Sequence, residues 1–145
     1  MEIRKKFTQE QALKELQRYK TNILGGESVL NMLESEKVTD EIENIEPGKY
    51  LIAAVMAGLV DYDEEKKCLV QKLKIPVESG EQKADCLYYR NNLTLGMMRD
   101  EYTSNNYALT INLITRITGR TKQIIEKVCG EDLQIMQDVS AFFYA

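Results

Sequence analysis

Histidine and tryptophan are absent from the 145 residues, and proline and cysteine are scarce, with two and three copies. Without histidine there is no Ser–His–Asp triad, no imidazole general base and no His-ligated zinc. Cys68, Cys86 and Cys129 form no CxxC pair, so a cysteine zinc site has no support. An odd number of thiols suits a reducing compartment better than a disulfide-stapled secreted fold. Long apolar runs are missing too. The longest, Tyr50 to Val60, contains Gly58 and is well short of the roughly 20 residues a membrane helix needs. Met1 to Phe7 is charged, so no secretory signal is expected, and the cytoplasm is the expected location. A basic surplus is lacking as well. The net charge is −4 and the pI is about 5.0, which disfavours general nucleic-acid binding.

What is present suits a folded domain. Hydrophobic residues make up 43% and charged residues 29%, enough for a core inside a charged surface. Thr8 with Gln11 reads as a capping box, and Ala12, Leu13, Leu16, Tyr19 and Ile23 follow at helical spacing. Gly25-Gly26 breaks that helix, and Val29 to Leu33 suggests a short second one. Glu34 to Glu46 carries six acidic residues and one lysine and reads as a solvated connector, with a helical turn opened by Thr39 or Asp40 as an option. Pro47-Gly48 marks a turn. Tyr50 to Val60 is read as helix from its length and its alanines, although Ile52, Val55 and Val60 also suit a strand. Asp61 to Lys67 reads as a charged loop.

The clearest strand signal follows. Leu73, Ile75 and Val77 alternate with Lys72, Lys74 and Pro76. After Ser79-Gly80, Ala84, Cys86 and Tyr88 alternate with Asp85, Leu87 and Tyr89. A turn at Ser79-Gly80 would pair Leu73 with Cys86, Ile75 with Ala84, and Lys74 with Asp85, leaving Cys86 on the apolar face. Pro76 places its strand at a sheet edge. Beyond Thr94 the chain reads as helices. One is capped by Thr94 and carries Leu95, Met97, Met98 and Tyr102. The next carries Leu109, Leu113, Ile114 and Ile117 and stops at Gly119. A short third starts at Thr121, and a last one starts near Glu131-Asp132. The expected fold is α+β, mostly helical with one antiparallel hairpin. Residues 1–48 form an N-terminal helical segment with its connector and 49–145 form the hairpin with the C-terminal helices, unless the two make one continuous domain. Residues 70–145 are expected to fold as a separable unit.

Candidate chemistry is sparse. Asp61 with Asp63, and Glu131 with Asp132, are candidate acid pairs. They read better as a solvated loop and as complements to a helix dipole. No catalytic, cofactor or metal residue is assigned, and no small-molecule substrate, nucleic acid or membrane is expected as a partner. Met97, Met98 and Met136 suit either an adaptable apolar surface or core filling. On the last helix, Leu133, Met136, Val139, Ser140 and Phe143 form one stripe, which Ile135 and Phe142 widen toward half the circumference. One helix face against one core needs only about 100°. Ile135 and Phe142 are therefore candidate partner contacts, together with Met97 and Met98, unless a neighbouring helix covers that flank.

Four segments also carry a family resemblance, over about half the chain. Leu73-Lys74-Ile75-Pro76-Val77 with Gly80, Leu87-Tyr88-Tyr89-Arg90, Leu113 through Gly119, and Gly130-Glu131-Asp132-Leu133 through Phe142-Phe143 follow one another in sequence. Their order resembles the small tail assembly chaperones of contractile-tailed, Mu-like bacteriophages. Arg90 is followed by Asn91 where the family usually has proline, and the first 70 residues have no counterpart. The resemblance implies a non-enzymatic phage or prophage protein of the host cytoplasm. Such a protein coats the tape measure protein until the tail tube forms around it. The tail tube protein is then a further partner, and a homo-oligomer is an option. The alternative is an acidic host-interaction or inhibitor protein from a mobile element, which rests on the acidic stretch from Glu34 to Glu46.

Overall fold

The computed structural model describes residues 3–23, 46–90 and 94–144. The sequence expectations for Gly25-Gly26, Val29–Leu33 and the Glu34–Ile45 stretch lie outside the described residues. The fold is α+β. Among the described residues there are six helices and one three-stranded antiparallel sheet.

Helix α1, Gln9–Ile23, starts with the reciprocal pair its sequence calls for. Gln11 N donates to Thr8 Oγ1 at 3.2 Å, and Thr8 N donates to Gln11 Oε1 at 2.9 Å. Its buried residues are Ala12, Leu16, Tyr19 and Ile23, three and four apart. Helix α2, Lys49–Met56, takes only the first part of the Tyr50–Val60 run. Gly58, with φ of 75°, reverses the chain, and the run continues as strand β1, Val60–Asp63. The reading of Asp61 to Lys67 as a loop is therefore corrected. Its first three residues are strand, and residues 64–67 form the turn. Asp63 Oδ1 holds that turn by accepting from Glu65 N and Lys66 N.

Strands β2, Cys68–Ser79, and β3, Gln82–Tyr89, complete the sheet in the order β1-β2-β3. A sheet thus replaces the expected lone hairpin. The reversal is Gly80-Glu81, with Gly80 at φ of 63°. The register also differs from the expected one. Lys72 pairs with Cys86 and Val77 with Ala84, so Leu73, Lys74, Ile75 and Pro76 all face the single residue Asp85. This is a wide bulge. It explains how Pro76 sits in the central strand rather than at an edge. Pro76 lies inside the bulge, beyond Gln71, where pairing with β1 ends. The bulge also resets the faces. Leu87 and Tyr89 point into the core, and Ile75 is exposed. Cys86 is only partly buried, not a core residue.

The remaining helices are α3, Leu95–Asp100; α4, Asn106–Thr118; α5, Lys122–Glu126; and α6, Gly130–Tyr144. Local chemistry sets their ends. Thr94 Oγ1 accepts from Met97 N, and Asn105 Oδ1 accepts from Tyr107 N and Ala108 N. Gly119, with φ of 68°, stops α4. One hydrophobic cluster joins Leu16 and Tyr19 of α1 to Leu51 and Val55 of α2, Leu69 and Leu87 of the sheet, and Ile135 and Phe142 of α6. The core therefore draws on both the 1–48 and 49–145 segments. A cut at residue 70 would strip α1, α2 and β1 from it.

Candidate functional site

The acidic residues of α6 hold the fold together. Asp132 is 1% exposed, yet its carboxylate is not spent on its own helix. Oδ1 accepts from Lys74 N and Oδ2 from Ile75 N, both at 2.9 Å. These are amides that the bulge removes from the sheet ladder, so the carboxylate replaces the missing strand partner. Beside it, Gln71 Nε2 donates to the Asp132 carbonyl at 3.0 Å, and Tyr89 Oη donates to Gln71 Oε1 at 2.6 Å. Lys74 Nζ meets Glu131 at 2.7 Å, a contact that raises the pKa of the ammonium. Farther along α6, Asp138 Oδ2 accepts from Tyr50 N and Leu51 N and so caps α2 from a distance. Of the other acid pair, Asp61 accepts from Tyr19 Oη and Tyr62 N, while Asp63 shapes its turn. Asp61, Asp63 and Asp132 are thus committed to backbone or core partners, and Glu131 is ion-paired with Lys74 at the surface.

Ile135 is 3% exposed and Phe142 is 2% exposed, which corrects their expected placement on a contact surface. The wide apolar arc of α6 has core on both flanks. Sheet and α2 residues share the cluster with it, the Phe143 ring stands edge-on to Phe142 at 4.8 Å, and Lys20 of α1 places its ammonium 4.4 Å from the Phe142 ring. Desolvation there lowers the pKa of Lys20. Met136 is buried as well. Cys68 is buried, with its thiol pKa raised by that burial, Cys86 is half-buried and Cys129 is exposed.

Met97 and Met98 lie elsewhere, on α3. Met98 lines an open apolar groove of about 620 Å³ between α3 and α4, with Leu95, Gly96, Arg99, Tyr102, Leu109 and Leu113; Met97 is half-buried beside it and is not a lining residue. Leu95 is 84% exposed, Tyr102 73% and Met98 45%. Helix α3 itself buries no side chain. It is tied to α4 at its C-terminal end, where Arg116 Nε donates to Glu101 Oε1 at 2.7 Å and Asn112 Nδ2 to the Glu101 carbonyl at 3.3 Å. Helix α4 is apolar on two sides. Ile111, Ile114 and Ile117 enter the core, whereas Leu109 and Leu113 form the groove floor. The sequence reading named Leu109, Leu113, Ile114 and Ile117 together as the apolar residues of this helix, without assigning them to faces. Spacing does not separate them, since Leu113 and Ile117 are also four residues apart.

Among the described residues, no group of three or more acidic or thiol side chains is placed to hold a metal ion, and no helix is long and apolar enough to cross a membrane. Comparison with known proteins finds no matching family model, no matching curated protein and no matching solved structure.

Proposed function

We propose that this chain is a non-enzymatic tail assembly chaperone of a phage or prophage, acting in the host cytoplasm. Its client is the tape measure protein, and it holds an apolar segment of that client in the groove between α3 and α4. The observation that carries this reading is the groove itself. Leu95, Met98 and Tyr102 stand exposed over a floor of Leu109 and Leu113, an apolar patch that is open among the described residues. Methionine gives such a surface the freedom to fit different side chains. The ordered segments at Leu73–Gly80, Leu87–Arg90, Leu113–Gly119 and Gly130–Phe143 supply the likeness to the chaperone family. The acidic-inhibitor alternative rests on residues outside the described structure and gains nothing from the groove.

The test is co-expression with a tape measure protein of a contractile-tailed, Mu-like phage. The expected result is a client that stays in the supernatant and co-purifies with the chain. A client that aggregates equally with and without the chain overturns the proposal.

A further inference from the structure

We draw no further inference here: the strongest candidate, the apolar groove between α3 and α4 lined by Leu95, Met98, Tyr102, Leu109 and Leu113, carries none, because nothing in the structure shows what covers it.

Discussion

The Asp138 carboxylate fills the space that a side chain on Gly48 would need: a Cβ built there would overlap all three atoms of the carboxylate group. Gly48 has φ of −67° and ψ of 158°, a conformation open to any residue. Glycine is thus required by the neighbouring carboxylate, not by the backbone. The same carboxylate accepts from Tyr50 N and Leu51 N in the first turn of α2.

Asp138→Ala should therefore cost about 1–2 kcal/mol, the usual loss for an N-cap acceptor. Gly48→Ala should cost a comparable amount by pushing the carboxylate away, although it removes no hydrogen-bonding group. In the double variant the added methyl meets no carboxylate, so its loss should fall well below the sum of the two singles. Urea denaturation of the four proteins measures this. Additivity within about 0.5 kcal/mol would show that Gly48 is needed for some other reason.

The bulge in β2 depends on Asp132 in a similar way. Asp132→Ala leaves the Lys74 and Ile75 amides without their acceptors in a part-buried setting, and a loss of about 1–2 kcal/mol is expected. Asp132→Asn should lose nearly as much. Its amide retains one acceptor oxygen and turns a donor toward the other N–H. Hydrogen exchange at Lys74 and Ile75 locates the effect. Protection that persists at both amides in Asp132→Ala would mean the bulge is held by something else.

These two carboxylates mark the boundary of what the sequence makes legible. Features set within a few residues were readable: the Thr8–Gln11 box, the Thr94 cap, the Gly119 stop and the existence of a β2–β3 hairpin. Features set by distant partners were not. The register of β2 against β3 depends on an acceptor 58 residues away, which local alternation cannot reveal. β1 was hidden because Asp61 and Asp63 look like loop residues, yet Asp61 serves Tyr19 and Asp63 forms the turn. At the groove, Met98 was singled out from composition. Leu109 and Leu113 were not, because α4 is apolar on two sides and only packing decides which side meets the core. The breadth of the α6 arc misled in the opposite direction, since two layers of the fold cover it.

Alkaline pH should destabilise the protein through Tyr19. Burial raises the pKa of its phenol above the ordinary value near 10, and the adjacent Asp61 carboxylate, 3.0 Å away, raises it further. The unfolded chain then loses this proton first. Between pH 10 and the higher folded value, the folded state binds more protons than the unfolded one, so stability falls as pH rises, by up to about 1.4 kcal/mol per pH unit. Below pH 10 the contribution is fully present. Tyr19→Phe loses the hydrogen bond to Asp61, about 1 kcal/mol at neutral pH. Above pH 10 it should lose stability less steeply than wild type, by one proton. Lys20 titrates in the opposite sense but is common to both proteins, so the difference isolates Tyr19. Parallel curves from about pH 8 to about pH 11 would show that Tyr19 ionises as readily when folded.

Arg120 closes the exposed edge of β3. Its Nη1 donates to the Lys83 carbonyl at 3.4 Å and its Nη2 to the Cys86 carbonyl at 3.2 Å. Thr121 Oγ1 reaches Gln82 Oε1 at one end, and Arg90 N donates to the Ile117 carbonyl at the other. One guanidinium thus spans two carbonyls that an incoming strand would otherwise use, as an edge-protecting device. Arg120→Ala should cost little monomer stability, since water can solvate the freed carbonyls, but should raise self-association. Arg120→Lys should fall between, because an ammonium is a point donor and cannot bridge both sites. Light scattering across a concentration series orders the three proteins, and exchange protection gained at β3 on association places the new contact. If Arg120→Ala remains as monodisperse as wild type at every concentration, the edge is protected by the flanking contacts of Thr121 and Arg90 alone.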